Sequence, residues 1–182
     1  MVQANPALPF GLRDVRLYPL NPDWSVGTGV DLPAARTFTF SDTETFVDLE
    51  GDDTTIASHG AGPTVDWDLE AGGISLAAYV VLAGGAIVRT GTTPNIKDTF
   101  TKLTTNARPY FQVEGQAISD SGGDLHCVVY RCKATDTLDG NFENGAFYLT
   151  KGKGKGYGDT QGLAPTMKLY QYIQNETAVS IP

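Results

Sequence analysis

Between Thr64 and Glu70 the chain alternates without a fault. Val65, Trp67 and Leu69 fall on one side, and Thr64, Asp66, Asp68 and Glu70 on the other. Successive side chains of an extended strand point to opposite faces, so this run predicts a strand with one face in a core and one in water. The pattern recurs at Ala35 to Ser41, where Phe38 and Phe40 oppose Thr37, Thr39 and Ser41. From Pro109 to Ile118, Phe111, Val113 and Ala117 read as inward, and Gln112, Glu114 and Gln116 as outward. From Leu125 to Ala134, Val128, Tyr130 and Cys132 share one face, and Arg131 and Lys133 the other. The chain carries 21 Gly and 10 Pro in 182 residues, which excludes a bundle of long helices. An interior Gly costs a helix about 1 kcal/mol and a Pro about 3 kcal/mol.

The remaining segments fill in this β pattern. Residues 1–11, with Pro6 and Pro9, read as an N-terminal arm, and Leu12 to Tyr18 as a first strand. Phe46 to Leu49 extends the Ala35 strand beyond a bend. Gly51-Asp52-Asp53 predicts one turn and Gly60 to Pro63 another, with a short strand, Thr54 to Ser58, between them. Ile74 to Ala83 is the one clear helix, opened by Gly72-Gly73 and closed by Gly84-Gly85, and it is apolar almost all round. Short strands follow at Ala86 to Arg89 and near Phe100 to Leu103. Ser119 to Asp124 reads as a hairpin turn and Thr137 to Gly145 as a loop. Phe147 to Thr150 begins the last pairing, Lys151 to Gly156 reads as a flexible basic segment at a hairpin tip, and Lys168 to Ile173 as the final strand. About ten short strands and one helix predict a mainly β fold, an antiparallel β-sandwich or partly open barrel with a flanking α-helix. The expected organisation is an arm at 1–11, one domain at 12–176 and a tail at 177–182.

The formal net charge is -8, which argues against binding nucleic acid or an anionic membrane through the general surface. From Asp42 to Glu70 there are nine acidic residues and no Lys or Arg. No signal peptide and no membrane span is visible. Cys127 and Cys132, five apart in one strand, are expected to face opposite ways and to stay reduced. His59 sits in a Gly-rich turn and His126 is read as an edge histidine. Neither has the spacing of a zinc ligand, and no nucleotide loop or nucleophile elbow is present. Asp66, Asp68 and Glu70 lie on one strand face, whereas glycosidase carboxylates face each other across a cleft. No catalytic residue, metal or cofactor is expected, and the chain is not read as an enzyme.

The segment Gly62 to Gly85 (Gly-Pro-Thr-Val-Asp-Trp-Asp-Leu-Glu-Ala-Gly-Gly-Ile-Ser-Leu-Ala-Ala-Tyr-Val-Val-Leu-Ala-Gly-Gly) resembles the major tail tube proteins of long-tailed, siphovirus-like bacteriophages. There an acidic-aromatic strand enters a Glu-x-Gly-Gly turn, a short apolar helix with a Tyr, and a second Gly-Gly. Gly11 to Pro19 and Val30 to Arg36 are similar to the start of such proteins in phages of actinobacteria. The resemblance implies a β-sandwich subunit with one flanking helix. It also implies six-membered rings of identical subunits, stacked into a tube that conducts viral DNA without binding it. Its implied partners are further copies and other tail proteins such as the tape measure and the terminator. The implied place is the virion tail, assembled in the host cytoplasm. The alternatives are a related ring-forming tube, secretion-tube or terminator protein, or a monomeric β-sandwich module for a small ligand.

On that reading the polar strand faces become a mostly acidic lumen lining: Thr37, Thr39, Ser41, Asp66, Asp68, Glu70, Gln112, Glu114 and Gln116. Arg131 and Lys133 share a strand face that the sequence places neither inside nor outside the channel, and in the channel they would neutralise neighbouring acids. The subunit interface is expected at Ile74, Leu76, Tyr79, Val80 and Ala83 of the helix and at Lys151, Lys153 and Lys155. These lysines would meet the acidic stretch Asp48 to Asp53 of another copy, and they and the arm would become ordered only on assembly.

Overall fold

A computed structural model describes residues 7–139, 142–159 and 167–182. Its fold is mainly β and antiparallel, with one helix, as the alternation predicts. The strands in chain order are β1 (Asp14–Pro19), β2 (Val30–Asp31), β3 (Ala35–Gly51) and β4 (Thr54–Gly72), followed by α1 (Leu76–Ala83). After the helix come β5 (Ala86–Thr90), β6 (Lys97–Thr101), β7 (Phe111–Ile118), β8 (Asp124–Ala134), β9 (Leu149–Gly156) and β10 (Tyr170–Asn175). The main sheet runs β2-β1-β7-β8-β9-β4-β3, and β5 and β6 form a separate ribbon. Along one edge of β8 the sheet forks: Asp124 to Val129 pair with β10, and Cys132 to Ala134 with β9.

One face of this sheet holds the core. Val15 and Leu17 of β1, Val65, Trp67 and Leu69 of β4, Phe111 and Val113 of β7, and Val129 of β8 are buried together. The Trp67 and Phe111 rings meet edge to face at 5.4 Å. Ala78, Val81 and Leu82 of α1 close the same core. Ser75 caps the helix by accepting from the Ala78 amide at 3.2 Å, and Gly84, at φ 74, donates its amide to the Val80 carbonyl. Ser75 rather than Ile74 therefore bounds the helix, because its hydroxyl oxygen satisfies a free first-turn amide.

Four expectations are corrected. Gly60 to Pro63 does not turn the chain, because β3 and β4 form one long hairpin closed at Asp52-Asp53, both with positive φ. Pro63 lacks an amide and Gly62 sits at φ 69, and the ladder absorbs both as an irregularity between Thr43 and Thr45. Lys151 to Gly156 is no flexible segment but strand β9, paired along β4. In β8 the register slips opposite Phe111–Val113, with Arg131 at φ 41. That bulge reverses the alternation, so Cys127, Val129, Cys132 and Ala134 all reach the core. The two cysteines are therefore buried free thiols on one face, not opposite ones. Burial raises both, Cys127 to about 12.

The arm is corrected in part. Residues 1–6 lie outside the described residues. From Leu8 to Phe10 the chain already follows the β7–β8 turn: the Leu8 amide donates to Ser119 Oγ at 2.9 Å and the Phe10 amide to the Ile118 carbonyl at 2.9 Å. At the other end, residues 176–182 are no loose tail. They lie across β1, β7 and β8, and Ile181 is 2% exposed.

Candidate functional site

The candidate site is the polar face of β3, β4 and β9. The register places Thr37, Thr39 and Ser41 beside Glu70, Asp68 and Asp66, and these beside Lys151, Lys153 and Lys155. The result is a column of hydroxyls, a column of acids and a column of lysines. Each lysine closes on the acid across from it: Lys151 Nζ to Glu70 Oε2 at 3.0 Å, Lys153 Nζ to Asp68 Oδ2 at 2.7 Å, and Lys155 Nζ to Asp66 Oδ1 at 3.2 Å. Arg36 Nη1 adds a contact to Glu70 Oε1 at 3.4 Å, and Thr43 Oγ1 donates to Asp66 Oδ2 at 3.1 Å. A shallow cavity of ≈ 510 Å³ opens here, lined in part by Thr39, Ser41, Asp66, Asp68, Asp136 and Lys153.

The Lys-Gly-Lys-Gly-Lys-Gly repeat has the two-residue period of a strand. Lysine points out, and Gly152, Gly154 and Gly156 point in and are buried. On the inner side a Cβ at Gly152 would only touch Leu82 and Trp67, whereas one at Gly154 would run into Trp67 and the backbone of Lys133 and Ala134.

This geometry corrects the expected acidic lining. Three acids are neutralised one for one by three lysines of the same chain, so the face is ionic but charge-balanced. The lysines are committed to Asp66, Asp68 and Glu70 and do not stand free to meet Asp48 to Asp53. The hydrogen bond that Lys153 donates to Asp68 raises the Lys153 pKa. Exposed pairs of this kind contribute little to folding. Asp68→Asn is accordingly expected to leave the urea midpoint nearly unchanged, and a shift as large as that of a core substitution would show that the pair anchors β9.

Glu114 and Gln116 are a second correction. They are 7% and 4% exposed and line no open surface. Glu114 Oε1 lies 2.8 Å from His126 Nδ1, and Asp124 Oδ2 lies 3.0 Å from His126 Nε2. Gln116 Nε2 donates to Asp124 Oδ2 at 2.5 Å and to the Val179 carbonyl at 2.8 Å. They face the same way as the acids of β4, but residues 176–182 cover them. His126 is thus no edge histidine but the centre of a buried network. The hairpin turn at Ser119 to Asp124 carried the signal, because it sets Gln116 opposite His126. Gln112 is half-buried, near Trp24 and Arg131.

Arg131 and Lys133 are held by aromatic rings. The Arg131 guanidinium carbon lies 5.7 Å from Trp24, 5.9 Å from Tyr110 and 5.5 Å from Tyr157, and Lys133 Nζ lies 4.8 Å from Tyr110. Lys133 pairs in register with Lys155, so it borders the ionic face.

Ile74, just before the helix cap, is exposed, and Leu76, Tyr79 and Val80 of α1 are half-buried. Ala83 is 4% exposed and is corrected as an interface residue, since the chain's own core covers it. The Tyr79 hydroxyl meets the Tyr148 hydroxyl at 2.6 Å. Val80 and Ala77 border an apolar groove of ≈ 540 Å³ shared with Val30, Ile87 and Pro109.

The distal part of the β3–β4 hairpin stands away from the body. Phe46, Val47, Leu49 and Ile56 are 65%, 66%, 61% and 66% exposed. Among the described residues no group of three or more His, Cys, Asp or Glu side chains is placed to hold a metal ion, and no helix is long and apolar enough to cross a membrane. No protein-family model matches the chain, and no curated protein matches it.

Proposed function

We propose that this chain is a structural subunit that assembles with copies of itself, and specifically a viral tail tube protein whose rings stack into a DNA-conducting tube. The observation that carries the reading is the projecting hairpin. An isolated two-stranded ribbon is marginal in water at best, and this one exposes four large apolar side chains together with a run of acids. Such an arm gains a stable environment when neighbouring subunits cover it.

The ionic face suits a channel wall on this reading. DNA carries one negative charge per roughly 1.7 Å of axis and is held by free cations through counterion release. Here every lysine of β9 is paired with an acid, and the hydroxyls of β3 flank them. The face offers hydration without a net positive field.

Three experiments test the proposal. Purified protein imaged by negative stain is expected to show tubes. A single ring size favours a terminator-like protein, and a species of 19.4 kDa at all concentrations favours a monomeric binding module. Replacing residues 45–61 by a tight turn is expected to leave a folded monomer and abolish assembly. Tubes formed by the shortened chain would remove the hairpin from the argument. For the wall, the triple substitution Asp66→Asn, Asp68→Asn, Glu70→Gln frees three lysines. It is expected to give normal tubes that slow or arrest DNA passage, and unchanged passage would place this face elsewhere.

A further inference from the structure

We infer that His126 is a proton-operated latch that fastens residues 176–182 across β1, β7 and β8. This inference does not depend on the tail tube reading. Both ring nitrogens of His126 face carboxylate oxygens, Nδ1 toward Glu114 at 2.8 Å and Nε2 toward Asp124 at 3.0 Å. Ionised carboxylates only accept, and a neutral imidazole has one N–H, so both bonds require the doubly protonated ring. Nε2 also lies 3.0 Å from the Val179 carbonyl. The Val179 amide donates to Asp124 Oδ2 at 2.8 Å, and Asn175 Nδ2 donates to Asp124 Oδ1 at 2.8 Å. The segment is therefore tied to the same carboxylate that holds the ring.

Further along, the Pro182 carbonyl accepts from Arg16 Nη1 at 2.5 Å and from the Tyr18 hydroxyl at 2.8 Å. Those bonds do not involve the histidine.

The charged and titratable groups around the ring come from each neighbouring element. Strand β1 contributes Asp14, Arg16 and Tyr18, β2 contributes Asp31 beside Arg16, and β7 contributes Glu114. Strand β8 contributes Asp124, while β10 contributes the neutral Asn175. Segment 176–182 contributes Glu176 and the Val179 backbone. Burial alone would lower the His126 pKa, but its bonds to Glu114 and Asp124 outweigh this and raise it above 6.5. Tyr18 is raised above 10.0 and Cys127 to about 12, so neither titrates in the same interval.

The sign follows. The latch is fully closed below the histidine's unfolded pKa and is lost as pH rises through its raised folded value. Once the ring is neutral, one buried carboxylate loses its donor and the Val179 contacts weaken.

The test uses the whole chain. The His126 ring is followed by carbon-13 NMR from pH 6 to 10, and the Val179 amide by hydrogen exchange corrected for its intrinsic rate. Above the histidine's pKa, Val179 protection is expected to fall by up to about tenfold per pH unit, the slope that one linked proton allows. The Leu69 amide in β4 is expected to stay protected. His59→Gln, on the exposed hairpin, should leave the step intact. His126→Gln should give low, pH-independent protection at Val179 with Leu69 still protected, and the wild-type titration decides alone if that variant does not fold. Val179 protection that stays constant across the His126 titration, or a step that persists in folded His126→Gln or vanishes in His59→Gln, overturns the inference. So does a ring that shows no titration up to pH 10.

Discussion

Gly154→Ala is expected to destabilise the chain by about 3 kcal/mol or more, at the upper end of what overpacking costs. A Cβ at this position would fall inside van der Waals contact of the Lys133 carbonyl oxygen, 2.7 Å from Trp67 Cζ2 and 2.8 Å from Ala134 Cα. Two of those three neighbours are backbone atoms of β8, so no rotamer change relieves the overlap. Strands β8 and β9 would have to separate where Ala134 pairs with Gly154. Gly152→Ala is the internal control. It sits two residues away on the same inward face, but its Cβ would meet Leu82 and Trp67 at an ordinary 3.4 Å. Its expected cost is under about 1 kcal/mol, since little has to move. Urea unfolding of the two variants checks the difference. Equal destabilisation would mean that strand propensity, not close approach, requires glycine in β9.

Asp124→Ala is the second large effect, about 3–5 kcal/mol, the usual cost of removing one partner of a buried ion pair. That is a large part of the roughly 5–15 kcal/mol by which domains are stable. Asp124 is 0% exposed, and its carboxylate receives bonds from Gln116, His126, Asn175 and the Val179 amide. Removing it takes the shared acceptor from all four donors and leaves the charged imidazole with Glu114 as its one carboxylate partner. Burial by itself would raise the Asp124 pKa, but these donors together hold it at about 2, below its ordinary 3.8. The stability linked to this group is therefore present above pH 3.8 and lost as pH falls toward 2. Acid unfolding of the wild type should steepen in that window, and Asp124→Ala should remove that part of the pH dependence. An Asp124→Ala chain as stable as wild type at pH 7 would show that the network is dispensable.

The class of fold was legible because burial leaves its mark on single strands. The alternation of Thr64 to Glu70 states which side chains enter the core, and Val65, Trp67 and Leu69 do. The helix was legible from its apolar run and its Gly84 stop, since capping is local chemistry. Thr37, Thr39, Ser41, Asp66, Asp68 and Glu70 were placed on one face for the same reason, and the register brings them side by side.

What one strand cannot state is which strand lies next to it. The lysines of β9 have the right period for an outward face, yet only pairing with β4 makes them the counterions of Asp66, Asp68 and Glu70. Glu114 and Gln116 alternate as an exposed face should. They are buried because a segment about sixty residues later folds over them, and a distant cover leaves no trace in local periodicity. The bulge at Arg131 reversed the faces of β8, and with them the positions of Cys127 and Cys132, because one extra residue shifts every later side chain by half a period. Local pattern thus determined that this chain makes sheets with one wet face. Long-range pairing decided which charges are neutralised, which are buried, and which apolar side chains stay exposed on the hairpin.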